Sequence, residues 1–241
     1  MSEAVRINKY LSEAGICSRR EADRQIERGN ITINGRTAVM GDKVLPGDQV
    51  MYGKKSVSRE EEAILLAVNK PRGIVCTAEK REKNNIVDYV NYPKRIYPVG
   101  RLDKDSHGLI LMTNQGELVN QIMRSRNFHE KEYIVKVNRD VTEALIQGMS
   151  QGVYLKELDA ATRPCLVEKV GRRTLRIVLT QGMNRQIRRM CESFQYRVVD
   201  LKRVRIMNIL LGDLKEGAYR EVKKEEWKEL QRQLGITEDK G

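Results

Sequence analysis

The sequence predicts an α+β protein built in two unequal parts, and three observations predict it. Residues 1–53 read as two short capped helices followed by a hairpin. Lys54 to Glu62 is charged and poor in apolar residues, the composition of an interdomain linker. From residue 63 to residue 241, apolar runs of strand length are interleaved with helical patterns, which makes a larger mixed unit.

In the first part, Ile7, Tyr10, Leu11 and Ala14 recur at i, i+3, i+4 and i+7 and give a helix that Gly15 stops. A second helix follows at once. Ser18 and Glu21 have capping-box spacing, Ala22 and Ile26 face inward, and Gly29 ends the helix after Arg28. Arg19, Arg20, Arg24 and Arg28 crowd its outer face, which by pattern alone is a solvated surface. Ile31 and Ile33 alternate into Asn34-Gly35, a strong hairpin signal, and Pro46-Gly47-Asp48 turns the chain into Gln49 to Tyr52.

In the second part, Ile64 to Val68 is a buried strand by its continuous apolar run, and Asn69-Lys70-Pro71-Arg72-Gly73 leaves it in a turn. A basic segment through Lys80, Arg81 and Lys83 precedes Ile86 to Val90. Gly100-Arg101-Leu102-Asp103-Lys104-Asp105-Ser106-His107-Gly108 is a polar loop bounded by glycines, and it runs straight into the apolar strand Leu109 to Met112. A loop so anchored can hold one carboxylate, Asp103, in place, although the same residue types fill ordinary turns. Tyr133, Val135 and Val137 share one face of a strand over Lys131 to Val137, company in which a tyrosine is a core residue. Thr142 to Gln151 is a surface helix, and strands follow near Pro164 to Val167 and Thr174 to Thr180. Gln181-Gly182-Met183-Asn184 reads as a turn with Asn184 as N-cap, and Ile187, Met190, Cys191 and Phe194 then mark the clearest amphipathic helix, with Cys191 in the core. Arg185, Arg188, Arg189 and Glu192 take its other side, with Arg188 at the border between core and solvent. From Arg172 to Arg205, ten Lys or Arg stand against Glu192 and Asp200, an excess that suggests a binding groove.

Composition narrows the function. The chain of 241 residues is 40% hydrophobic and 32% charged, as a soluble globular protein is. Its four cysteines are scattered without CxxC spacing, and with two histidines besides they indicate neither a disulfide framework nor a metal site. No apolar run is long enough to span a membrane and the start lacks a secretory core, so a cytoplasmic protein with no membrane partner is expected; a monomer is expected as well. The net charge of +12 favours a polyanionic partner, with nucleic acid the economical candidate. No Gly-rich nucleotide loop or methyl-donor motif is present, so no cofactor is expected.

Two resemblances sharpen these expectations. Arg6-Ile7-Asn8-Lys9-Tyr10-Leu11, Gly15-Ile16-Cys17-Ser18-Arg19-Arg20-Glu21-Ala22 and Asn30-Ile31-Thr32-Ile33-Asn34-Gly35 resemble an S4 RNA-binding domain. That resemblance implies a small S4 (αL-like) unit over residues 1–53, in which Arg19, Arg20 and Arg24 contact phosphate. The segment Gly100-Arg101-Leu102-Asp103 with Gly108-Leu109-Ile110-Leu111-Met112-Thr113-Asn114-Gln115-Gly116 resembles the signature of bacterial rRNA pseudouridine synthases of the RsuA/RluB/RluE/RluF family. Lys131-Glu132-Tyr133 and Asn184-Arg185-Gln186-Ile187-Arg188-Arg189-Met190 resemble two further motifs of it, and the segments around them are most similar to its RluF branch. His107 and Gln195 depart from the pattern, standing where Gln and Gly are expected.

What the family resemblance implies is a catalytic domain on a mixed, largely antiparallel sheet with flanking helices, over residues 63–241. It implies Asp103 as the catalytic carboxylate, Tyr133 stacked on a flipped uracil and Arg188 paired with Asp103. Arg101, Arg185 and Arg189 are expected to hold RNA, and 23S ribosomal RNA is the expected substrate. The same chemistry on tRNA stays open, as does a non-catalytic S4-type ribosome-assembly protein. Whether Asp103 adds to the uracil ring or eliminates across the sugar to a glycal is likewise open.

Overall fold

A computed structural model describes residues 4–58, 62–79, 81–123 and 128–236. The chain forms two compact units, the first holding residues up to 64 with 93–96 and 114–116, the second the remainder.

In the first unit, β1 (Val5–Arg6), α1 (Ile7–Glu13), α2 (Arg19–Glu27), β2 (Ile31–Ile33), β3 (Arg36–Thr37), β4 (Lys43–Val44), β5 (Val50–Tyr52) and β6 (Lys55–Val57) follow one another. The predicted helix pair forms where its caps place it: the Ser18 hydroxyl accepts from the Glu21 N–H at 3.2 Å. Asn34 and Gly35 both take positive φ, the backbone of the tight hairpin that their sequence announces. Strand order is β3-β2-β5-β6, with β1 paired to β4 apart from it. Ile7, Leu11, Ala22, Ile26, Ile31 and Val50 meet in one core beneath the two helices.

The predicted linker requires correction. Lys55–Val57 is the edge strand of this small sheet, antiparallel to β5, and Val57 is buried in the core. An edge strand with one inward apolar residue and Lys55 and Ser56 facing water has the composition of a linker, so only the pairing reveals it. Residues 59–61 of that stretch, and Lys80 of the basic segment, lie outside the described residues.

The second unit is organised by a single sheet. Its elements are β7 (Leu65–Lys70), α3 (Ile86–Val90), β8 (Tyr97–Val99), β9 (His107–Thr113), α4 (Gly116–Met123), β10 (Lys131–Val137) and α5 (Glu143–Ser150). They continue through β11 (Tyr154–Leu155), β12 (Ala160–Ala161), β13 (Leu166–Gly171), β14 (Thr174–Leu179), α6 (Gln186–Ser193), β15 (Val198–Ile206), β16 (Ile209–Leu210), β17 (Tyr219–Glu221) and α7 (Lys224–Leu234). Strand order is β13-β14-β10-β15-β9-β7-β17, with β8 on β9 and β16 on β15. The strands pair antiparallel except β9 with β15, which matches the expected mixed, largely antiparallel sheet. Leu118 and Ile122 of α4 and Leu230 of α7 bury the sheet residues Leu65, Ala67, Leu109 and Leu111.

The parallel junction depends on Gly108. It faces Arg203 across β9 and β15 at φ +99°, where an added Cβ would come within 2.3 Å of the Arg203 carbonyl oxygen. Backbone cannot yield as a side-chain tip can, so glycine alone fits. Gln195, where glycine is expected, also sits in the left-handed region, at φ 61°. The position does ask for a left-handed residue, and glutamine meets it at some cost in strain.

Candidate functional site

The loop before β9 is fixed at several points. The Ser106 N–H donates to the Asp103 carbonyl at 3.0 Å, and the Gly73 N–H donates to the Lys104 carbonyl at 2.8 Å. Leu102 is buried, and its N–H meets the Cys76 sulfur at 3.4 Å. Lys70 shapes the neighbouring turn from inside: it is fully buried and donates to the Pro71 and Ile74 carbonyls. Burial holds its ammonium below the usual lysine range. Asp103 thus projects from an anchored backbone, its side chain about one-third exposed.

Opposite the loop lies the start of α6. Arg188 is nine-tenths buried and donates from Nη2 to the Ser106 hydroxyl at 3.2 Å and the Asp105 carbonyl at 3.4 Å. Its Nε stands 4.0 Å from Asp103 Oδ2 and makes no hydrogen bond. Arg185 Nη1 lies 3.9 Å from Asp103 and 3.9 Å from Asp105. The carboxylate is therefore flanked by two guanidinium groups at ion-pair distance, not by Arg188 alone. Arg185 reaches this place because it, not Asn184, occupies the N-cap, at φ 49°. The Asn184 amide oxygen is taken by Arg189 at 3.3 Å, and Gln186 caps the turn by accepting from the Met183 N–H at 3.0 Å.

Tyr133 lies on β10, 8% exposed, and its hydroxyl makes no hydrogen bond among the described residues. It shares a cleft of about 400 Å³ with Asp103, Arg101, Arg185 and Arg188. That volume suits a single base or nucleoside. Leu179, Lys131, Arg203 and Leu201 line the same cleft from the adjacent strands β14, β10 and β15. Lys131 and Arg203 escaped the sequence reading of the site. Lys131 shares the face of Tyr133 two residues on, a signal that was present; the burial of Arg203 has none in the sequence.

The basic stretch from Arg172 to Arg205 does not form one groove. Arg172 and Arg173 pair with Asp140, Arg176 with Glu132 and Glu168, and Arg205 with Glu130 and Glu132. Their acidic partners come from other strands and loops, invisible to a local charge count. Arg189, expected on RNA, pairs with Glu157 and does not line the cleft. In the first unit Arg19, Arg20 and Arg28 are exposed, while Arg24 contacts Glu21 at 2.8 Å. Cys191 is core as expected, its thiol pushed up to about 12 by burial.

Comparison with known proteins identifies the two parts of the chain. Residues 64–193 match the family described as RNA pseudouridylate synthase, and residues 5–50 match the S4 domain. The chain is 54% identical over 225 residues to the dual-specificity RNA pseudouridine synthase RluF of Escherichia coli K12, covering 92% of this chain and 77% of that one. It is 34% identical over 232 residues to the ribosomal large subunit pseudouridine synthase B of Bacillus subtilis 168, covering 93% and 95% respectively. A crystal structure of a pseudouridylate synthase superposes with a TM-score of 0.69 at 26% identity, covering 94% of this chain and 99% of that one.

Proposed function

The chain belongs to the RNA pseudouridylate synthase family, as a member bearing an S4 domain, and from that premise we propose that Asp103 is its catalytic carboxylate and 23S ribosomal RNA its substrate. The enzyme isomerises uridine to pseudouridine in RNA. The C1'–N1 bond of the nucleoside breaks, the base turns while still held, and C1' is rejoined to C5. Nothing is oxidised and no group is added, so the protein's task is to extrude, hold and turn a base.

Each step has a residue suited to it. Extruding the base costs on the order of a few kcal/mol. Stacking on the ring of Tyr133, whose walls are the buried sheet, returns about 1–3 kcal/mol. Arg101 and Arg185 at the mouth of the cleft are placed to take the flanking phosphates, which would supply the remainder. Asp103 then faces the sugar from a loop whose backbone is pinned, and Arg188 fixes that loop by bonding Ser106 and the Asp105 carbonyl. In this division of labour the S4 unit grips structured RNA and the second unit performs the chemistry.

The observation that carries the assignment is the single cleft in which a flanked carboxylate meets a buried tyrosine with an unengaged hydroxyl. The 23S assignment is supported by the 34% identical relative, whose name places its action on the large ribosomal subunit, and by the S4 domain. Pseudouridine mapping of total RNA from cells with and without this protein tests it. A protein-dependent site in 23S rRNA is expected; a site confined to tRNA would replace that substrate, and no lost site at all would return the chain to a binding role.

A further inference from the structure

The floor of the cleft holds two cations that no carboxylate among the described residues neutralises. Lys131 and Tyr133 stand two residues apart on β10 and so share a face. Arg203 on β15 sits directly across from Tyr133, and on the other side Leu179 of β14 sits across from Lys131. Lys131 is 6% exposed and Arg203 2% exposed. Among the described residues neither is ion-paired. Lys131 donates to the His129 carbonyl at 3.3 Å, and Arg203 donates from Nε to the Leu109 carbonyl at 2.7 Å and from Nη1 to the Arg101 carbonyl at 3.5 Å. Arg203 Nη2 is buried with no partner.

Two buried like charges without a carboxylate are a poor device for stability, because desolvation is not offset. They are a good device for an anion that exists only during the reaction. Asp103 is not that anion, since Arg185 and Arg188 already flank it. Phosphates are met at the rim, where Arg101 and Arg185 are solvated. The remaining candidate is the base. Where Asp103 acts at the sugar and the base leaves free, breaking C1'–N1 sends the bond's electron pair away with the uracil, the charge spreads from N1 onto the carbonyl oxygens, and Asp103 returns the proton it took from the sugar once C1' is rejoined. When C5 attacks C1', that pair returns in the new C5–C1' bond; C5 then loses its proton and N1 gains one.

We propose that Lys131 and the unpartnered Nη2 of Arg203 bind the carbonyl oxygens of the detached uracil, stabilising its anion while the base turns above them. The inference rests on the reading of this cleft as the uridine site. It makes both side chains catalytic residues beside Asp103, with Arg203 also tying the Asp103 loop to β9 through the Arg101 and Leu109 carbonyls.

The Lys131→Met enzyme, with RNA carrying either uridine or 5-fluorouridine at the target, tests this. Fluorine acidifies the base and makes its anion a better leaving group without help. At saturating protein, single-turnover loss of the target nucleoside should fall on the order of a hundredfold for uridine, and that deficit should shrink at least about tenfold for 5-fluorouridine. RNA affinity should hold, Lys131→Arg should recover most of the rate, and the melting temperature of Lys131→Met should equal or exceed the parent's, because an uncompensated buried charge has gone. A second readout is pH. Burial and the Arg203 charge lower Lys131 to about 8, so the parent's saturated rate should decline as pH rises through that value while Lys131→Arg declines only later. The groups facing Lys131 are Arg203 from β15, Tyr133 from its own strand, and Asp103 and Arg188 across the cleft; β14 presents Leu179. An equal deficit for both bases, or a fall in melting temperature alongside the rate, would overturn the proposal. Asp103→Asn is assayed in parallel: if it stays active the reading of the site itself fails, whereas an inactive Asp103→Asn with an unimpaired Lys131→Met removes only the cationic floor.

Discussion

The second helix of the S4 unit and the floor of the cleft present the same side chains in opposite surroundings. Arg19, Arg20 and Arg28 stand in water, whereas Lys131, Arg188 and Arg203 are at least nine-tenths buried. A solvated cation is free to follow a phosphate backbone, releases counterions when it does so, and is screened by salt. A buried cation has already lost its water, acts over a few ångströms on one partner, and is barely screened. Position in the fold therefore divides a net charge of +12 into a gripping part and a chemical part.

That division breaks most visibly at Asp103. Asp103→Asn keeps the loop's shape but removes the carboxylate, and turnover should fall at least about a thousandfold, or ~4 kcal/mol in the barrier. RNA affinity should change little. If the asparagine variant modified RNA at a comparable rate, Asp103 would be a loop residue and nothing more. Arg188→Ala comes next in size, because it frees the Asp105 carbonyl and Ser106 as well as removing one of two flanking cations. A loss of about a hundredfold in the saturated rate is expected, smaller than for Asp103 since Arg185 remains 3.9 Å away. A change confined to affinity would move Arg188 to the gripping side of the comparison.

The gripping side was the more legible in sequence. Helix caps, Asn34-Gly35 and the apolar spacing of α1 and α2 are local signals, and the structure follows them residue by residue. The exposed arginines of α2 are where their helical spacing puts them. In the second unit β7, β9, β10, β14 and the α6 stripe were readable, and so was the loop carrying Asp103, whereas β15 was not predicted. Charge was not. Ten basic residues between Arg172 and Arg205 looked like a groove, yet Asp140, Glu132, Glu168 and Glu130 claim four of them from other strands and loops. Arg203 has the opposite history, since one of three basic residues on β15 gives no sign of being a cleft residue until β9, β10 and β15 are brought together. Pairing across a sheet decides whether a charge is spent or available, and one-dimensional spacing does not encode it.

Replacing Arg19, Arg20, Arg24 and Arg28 together with glutamine tests the grip without removing the S4 fold, whose core residues are untouched. Glutamine keeps the helix propensity of α2. Affinity for structured RNA should fall on the order of a hundredfold at low salt, and the slope of log affinity against log salt should become shallower by as much as about 3. The saturated single-turnover rate should stay within a few-fold. A slowed saturated rate with an unchanged salt slope would reverse the roles assigned to the two units.

The smallest effect separates two arginines of the same helix. Arg20 is exposed and, among the described residues, without an ion pair, so giving its charge to a phosphate costs little beyond side-chain entropy. Arg24 lies 2.8 Å from Glu21, and must either leave that carboxylate or bring its negative charge toward the RNA. Surface pairs are worth only about 0–1 kcal/mol, so the difference is modest but has a sign. Arg20→Gln should lower the salt slope by about 0.7–0.9, one full phosphate contact, and Arg24→Gln by visibly less. Glu21→Gln then supplies the converse: with its partner gone, Arg24 becomes as available as Arg20, and affinity should rise. Should Glu21→Gln weaken binding instead, the carboxylate would be positioning Arg24 for RNA, and the pair would act as one gripping element.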